Sequence, residues 1–262
     1  MPDLYSTLAY TPQPLRFGTS GRRGRVADLT QLEIYANVLA ELEYLQSLPQ
    51  SNGGIAPGDD FYFAHDLRPS STAFAPSEQG RGEICQAVVR AVRDAGMRPV
   101  NLGAIPTPAL TFHALSERRG SIMVTGSHIP FELNGYKLNT SAGELMKEHE
   151  EPIGAKVEAV RRRLYSQPSE DSPFDRLGMF RTGHQELPPV TSAGRDRYIN
   201  RYQSFFAGST LAGRRILVYQ HSAVGRDLLV ELLRHFGAEV VIAGRSESFV
   251  AIDTEAIDDT QL

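Results

Sequence analysis

The sequence predicts an α/β protein, with a mixed sheet covered by helices in a first domain and the start of a second α/β domain behind it. Three observations carry that expectation. Short apolar, β-branched runs alternate with segments of helical hydrophobic period along most of the chain. Thr30 and Glu33 have the spacing of a capping box, ahead of leucines at helical intervals. Towards the C-terminus a strand, a helix and a further strand follow in the order of a right-handed crossover.

Composition narrows the class of function. The 262 residues are 41% hydrophobic and 22% charged, as in a globular protein with a packed core. The net charge of −4 argues against general nucleic-acid binding, so an anionic substrate needs a locally basic site. No apolar run reaches the roughly 18 residues of a membrane span, and the N-terminal stretch lacks the pattern of a secretory signal. The single cysteine, Cys85, lies in an apolar helical pattern and reads as a buried thiol in a reducing, cytoplasmic setting.

In chain order, Leu15 to Arg25 is a loop with three glycines and four arginines, able to offer backbone N–H groups and guanidiniums to a phosphate. Asp28 to Leu48 is the clearest helix, with Leu32, Tyr35, Ala36, Leu39, Leu42 and Leu45 at helical spacing. The strand Phe61 to Ala64 ends in His65-Asp66-Leu67-Arg68-Pro69-Ser70-Ser71, where Asp66 and Arg68 are spaced to pair and brace a turn. Gly82 to Ala95 reads as a helix stopped by Gly96, Arg98 to Leu102 as a strand, and Ala109 to Leu115 as a helix opened by proline.

The stretch from Ser121 to Asn139 carries the chemistry. Ile122 to Val124 is short and β-branched enough for a buried strand, and the chain then turns abruptly polar at Thr125-Gly126. Ser127 and His128 stand side by side there, followed by Pro130, Asn134-Gly135 and Lys137. A hydroxyl, an imidazole and an amine at the end of a strand suit phosphoryl or acyl transfer, and glycine admits a substrate close to the backbone.

Glu144 to Leu164 reads as a charged helix interrupted near Pro152, with Arg161-Arg162-Arg163 as a solvated end placed favourably on the helix dipole. Residues 1–168 are taken as the first domain, 169–189 as a linker, and 190–262 as the first part of the second domain. In that part Arg195 to Phe206 and Val224 to Phe236 read as helices, with strands at Arg215 to Tyr219 and Ala238 to Ile242. The intervening turn lacks the G-x-G-x-x-G of a dinucleotide site, and its His221 and Ser222 read as structural.

Five segments together resemble the α-D-phosphohexomutase superfamily, the phosphomannomutase and phosphoglucomutase enzymes. Thr125-Gly126-Ser127-His128-Ile129-Pro130 and Asn134-Gly135-Tyr136-Lys137 are similar to that family's T-A-S-H-N-P and N-G-x-K. Phe17 to Gly21 with Arg23 and Gly24 resembles F-G-T-S-G-x-R-G, and Asp66, Arg68, Pro69, Ser70 and Ser71 fit G-R-D-T-R-P-S-S. Gly103 with Pro106-Thr107-Pro108 is similar to G-x-x-P-T-P-x-L. Gly126 for alanine is a small-for-small exchange, whereas Ile129 for asparagine removes a polar side chain.

The resemblance implies a phosphohexomutase that interconverts hexose 1-phosphate and hexose 6-phosphate through phospho-Ser127 and a hexose 1,6-bisphosphate. It implies catalytic roles for Ser127, Lys137, His128 and Arg23, with Lys137 as general acid/base and His128 orienting Ser127 or relaying a proton. Thr19, Ser20, Arg23, Asn134 and Lys137 would hold substrate or phosphate, and the phosphate on Ser127 would ligate Mg²⁺. In the family the other metal ligands come from a D-G-D-x-D-R loop. That loop and the third and fourth domains are absent here, and Asp253, Asp258 and Asp259 have the wrong spacing to replace it. The chain therefore reads as truncated, inactive alone, and prone to association through unpaired strand edges. Two other readings stay open: a non-catalytic sugar-phosphate-binding or regulatory module, and a serine hydrolase using Ser127 and His128, which lacks a G-x-S-x-G elbow.

Overall fold

The computed structural model describes residues 1–18 and 21–250. In chain order it contains α1 (Leu4–Thr7), β1 (Arg22–Arg25), α2 (Gln31–Ser47), β2 (Asp60–His65), α3 (Pro69–Thr72), β3 (Phe74–Ala75), β4 (Arg81–Gly82), α4 (Ile84–Asp94), β5 (Arg98–Ala104), α5 (Thr107–Ser116), β6 (Ser121–Val124), β7 (Leu133–Asn139) and α6 (Glu150–Tyr165). The second unit holds α7 (Ala193–Phe205), β8 (Arg215–His221), α8 (Arg226–His235) and β9 (Glu239–Arg245).

The first unit is built on a mixed sheet in the order β1-β7-β6-β2-β5, parallel across β6-β2-β5 and antiparallel at β7 and β1. Alternation along the strands feeds a core on each face. Phe61, Phe63, Ile122, Val124, Tyr136 and Leu138 face the core shared with α2, α4 and α6. Tyr62, Ala64 and Met123 face the other, closed by α5 and by residues of α7 and α8. Helices on both faces explain why Phe61 to Ala64 in β2 and Ile122 to Val124 in β6 are continuous apolar runs rather than alternating. The second unit pairs β8 with β9 in parallel around α8, the crossover expected from the sequence.

Several local expectations change in three dimensions. Thr30 caps α2, its Oγ1 accepting from Glu33 N at 3.2 Å, but the Glu33 side chain does not return to Thr30. Glu33 instead accepts from the Tyr165 hydroxyl and lies 3.5 Å from Arg161. Arg161 is thus turned inward, unlike the solvated helix end expected of it. Burial raises the Glu33 pKa, with Arg161 acting against it. Pro152 does not break α6, because it falls in the first turn, where a missing N–H costs nothing.

The segment 169–189, read as a linker, is anchored to the first unit. Phe174 is fully buried and stacks on Phe180 at 4.7 Å, and Phe180 N donates to Gln31 Oε1 at 2.8 Å. Cys85 is fully buried, which pushes its thiol pKa up. Among the described residues no helix is long and apolar enough to cross a membrane.

Candidate active site

Ser127 sits just beyond the C-terminal end of β6, and Asp66 just beyond the end of the parallel neighbour β2. In open α/β sheets this is the edge at which ligands bind. The turn is held by one carboxylate. Asp66 Oδ2 accepts from Thr125 Oγ1 at 2.8 Å and Gly126 N at 3.2 Å, while Oδ1 accepts from Ser71 Oγ and Arg68 N, each at 3.0 Å. Thr125 Oγ1 in turn accepts from Ser127 N at 2.9 Å.

Arg68 is the second brace. Its guanidinium lies inside the loop that follows Ser127, with only 2% of the residue exposed. Nη1 donates to the carbonyls of Pro130 and Leu133, each at 2.9 Å, and to that of Phe131 at 3.3 Å. Nη2 donates to the carbonyls of Ile129 and Ser127. Asp66 Oδ2 lies 3.6 Å from Nε. Burial lowers the Arg68 pKa; Asp66 counters that and the nearby Arg23 adds to it. A lysine has no planar fork to reach so many carbonyls at once. Asp66 and Arg68 were expected to brace the turn that presents Arg68; they also brace the loop that presents Ser127.

The braced loop holds Ser127 at φ +56°. A non-glycine residue in that region costs roughly 1–3 kcal/mol, and such strain persists where surrounding contacts over-determine the backbone. The result is an exposed hydroxyl on a rigid turn, with Ser127 Oγ 3.3 Å from His128 Nδ1. His128 is itself exposed, and its ring makes no other hydrogen bond or ion pair among the described residues. The hydrolase reading therefore gains no third triad member from them.

Register settles the remaining residues. Arg23 pairs with Gly135 and Lys137 with Met123, so Arg23 and Lys137 project from one face of neighbouring strands, two positions apart along β7. Gly21 has φ +151°, and a Cβ there would run into the Tyr136 carbonyl oxygen and fall 3.0 Å from Lys137 Cγ, so glycine lets the loop before β1 pass close over the β7 backbone. Arg23 is half-buried and makes no hydrogen bond or ion pair among the described residues. Thr19 and Ser20 lie outside the described residues, as do Asp253, Asp258 and Asp259.

Asn134 does not fit its expected role as a phosphate ligand. It is one residue from Gly135 and so belongs to the opposite face, where it is fully buried. Its Nδ2 donates to Ser70 Oγ at 2.8 Å and Ser71 Oγ at 3.1 Å, and its Oδ1 accepts from Gly135 N at 2.8 Å. The same parity takes Arg22 under the sheet to the buried Glu41 at 2.6 Å, leaving Arg23 as the outward member of the pair.

Ser127 and His128 open onto a cleft of about 290 Å³ whose far wall is the turn after β8. His221 and Ser222, read from the sequence as structural, line this cleft with Val224 and Phe249. Their sequence signal was the one that marks Ser127-His128: a His/Ser pair at the point where a strand runs into a turn. Phe249 lies 4.5 Å over the Arg68 guanidinium and 5.9 Å from the Phe131 ring.

No group of three or more His, Cys, Asp or Glu residues able to hold a metal ion occurs among the described residues. Asp66, the carboxylate that lines the cleft, already accepts four hydrogen bonds. The described residues thus do not form the Mg²⁺ site that Ser127 was expected to share.

Comparison with known proteins places the sequence in a family. Residues 14–163 match the family model for phosphoglucomutase/phosphomannomutase, alpha/beta/alpha domain I. The chain is 37% identical over 244 residues to a phosphomannomutase of Sinorhizobium fredii and 36% identical over 260 residues to one of Salmonella muenchen. These alignments cover 92% and 99% of this chain but 45% and 47% of those proteins, so the chain spans about half the length of the curated relatives it matches. Its fold is similar to that of a phosphoglucomutase/phosphomannomutase family protein of Burkholderia thailandensis, with a TM-score of 0.53 at 20% identity, over 96% of this chain and 46% of that one. By sequence match, fold and the braced serine loop, the chain belongs to the phosphoglucomutase/phosphomannomutase family.

Proposed function

We propose that the complete protein is a phosphohexomutase in which Ser127 carries the phosphoryl group. The observation that carries this reading is the exposed, left-handed Ser127 held by Arg68 and Asp66 at the ligand-binding edge of the sheet. Phosphoryl transfer asks a protein chiefly for positioning and charge stabilisation. A rigid serine with the cations Arg23 and Lys137 on the adjoining strands supplies both.

In the forward half-reaction a hydroxyl at position 1 or 6 of a hexose phosphate attacks phospho-Ser127. The bond from phosphorus to Ser127 Oγ breaks as the bond to the sugar oxygen forms, giving the 1,6-bisphosphate. The hydroxyl proton passes through Lys137 and ends on Ser127 Oγ, while His128 orients that oxygen. After the sugar turns round, its other phosphate returns to Ser127 by the reverse steps. Arg23 holds phosphoryl oxygens throughout, and Lys137 enters with a neutral amine and holds them only while it carries the proton, with Thr19 and Ser20 as further phosphate-binding candidates. Because the described residues do not assemble a Mg²⁺ site, no step is assigned to the metal. We also take 1–168 and 190–262 as parts of successive domains and place the protein in the cytoplasm.

The test is intact-mass analysis and turnover of the full-length protein with mannose 1-phosphate and glucose 1-phosphate. Phosphate on Ser127, and abolition of turnover in Ser127→Ala, are expected. Full turnover in Ser127→Ala sinks the reading. Binding of sugar phosphate without turnover in the wild-type protein favours a non-catalytic module instead.

A further inference from the structure

We propose that His221 contacts the phosphoryl group exchanged between Ser127 and the sugar, donating a hydrogen bond to its oxygens from the second-unit wall of the cleft. The proposal rests on the reading of Ser127 as phosphoryl carrier. His221 is the last residue of β8, half-buried, and lines the cleft that Ser127 and His128 line from the other side.

Its backbone is constrained in a way a purely structural residue does not need. His221 has φ +49°, the left-handed region that a histidine occupies only at a cost. Its carbonyl accepts from Arg226 Nη1 at 2.9 Å and from Ser246 N at 3.1 Å, so the turn is pinned from two directions. The ring is oriented as well. Ser222 Oγ donates to the Val250 carbonyl at 2.9 Å, accepts from Val250 N at 3.1 Å, and lies 3.1 Å from His221 Nδ1. With the hydroxyl hydrogen committed to Val250, Nδ1–H donates to Ser222 Oγ, and Nε2 is the nitrogen left for a ligand.

The chemistry at the cleft completes the case. A protonated imidazole donates from both nitrogens, so with Nδ1–H held by Ser222 Oγ, Nε2–H is the donor offered to the oxygens of a phosphoryl group on Ser127. The wall is tied to the serine loop through Phe249, which covers Arg68 in the segment directly before Val250. His221 and the loop that presents Ser127 therefore form opposite sides of one site, and the imidazole suits a phosphate monoester dianion.

The experiment uses the full-length protein. In two-dimensional ¹H–¹⁵N spectra of the histidine rings, adding mannose 1-phosphate shifts the His221 Nε2 signal. His221→Asn serves as the variant, because asparagine also tolerates the left-handed backbone. It lowers kcat/KM roughly 10- to 100-fold, the range for losing one charged hydrogen bond, with the melting temperature unchanged. An unshifted His221 resonance at saturating ligand overturns the proposal whether or not the variant folds, and so does unchanged kcat/KM in His221→Asn. Ser127→Ala run in parallel separates the two readings. If it retains turnover, the role of Ser127 fails; if it is dead while His221→Asn is fully active, only the role of His221 fails.

Discussion

Gly126 and Arg68 occupy adjoining space: a Cβ at position 126 would fall 2.6 Å from Arg68 Cζ and 2.9 Å from Arg68 Nη2. The glycine at this point of the serine loop, a small-for-small departure from the family motif in sequence terms, is in this fold the gap that the guanidinium fills. Gly126→Ala forces Arg68 away from the carbonyls of residues 127–133. Overpacking of this kind costs about 1–3 kcal/mol. Thermal unfolding and turnover of the variant are both expected to fall, and wild-type values for both would show that the space is not needed.

Asn134 distinguishes bracing from binding. Asn134→Ala leaves Ser70, Ser71 and Gly135 N–H without their buried partner and is expected to cost roughly 1–3 kcal/mol. Denaturant unfolding measures that loss directly. A rise in KM for hexose phosphate with unchanged stability would instead restore the ligand role that the motif suggested.

His113 provides a pH signature. Its ring is buried beside Tyr62 at 4.7 Å, and its Nδ1 has no hydrogen-bond partner among the described residues. Burial lowers its pKa below the ordinary 6.5, Arg197 adds to that, and Glu117 opposes it. The unfolded chain therefore takes up this proton before the folded one as pH falls. Stability from His113 is fully present above pH 6.5 and is lost below it. Melting temperatures are expected to decline from about pH 6.5 towards pH 5, and His113→Phe should flatten that limb. A decline that persists unchanged in the variant would place the proton elsewhere.

What was legible in the sequence is what local chemistry dictates. The main helices and the strands β2, β5, β6, β8 and β9 lie where hydrophobic period, proline and glycine place them, whereas β1 and β7 form in stretches that read as polar loops; the serine loop is recognisable because its residues are contiguous. The helix cap at Thr30 was likewise readable, being a contact across three residues. Glu33 was not, since its partners Tyr165 and Arg161 come from the far end of the domain.

The sequence by itself determined the α/β class, the strand that ends just before the Ser127 turn and the cations that follow and precede it. Those follow from spacing along the chain. The tertiary structure alone decided which side chains turn into the core and which stay on the other face of the sheet. Strand parity turned Asn134 inward and left Arg23 outward, because adjacent residues on a strand project to opposite faces. Folding also drew Arg68 into a loop some sixty positions away and set His221 across the cleft from Ser127. Contacts at such separations depend on sheet order and packing, which no local pattern encodes.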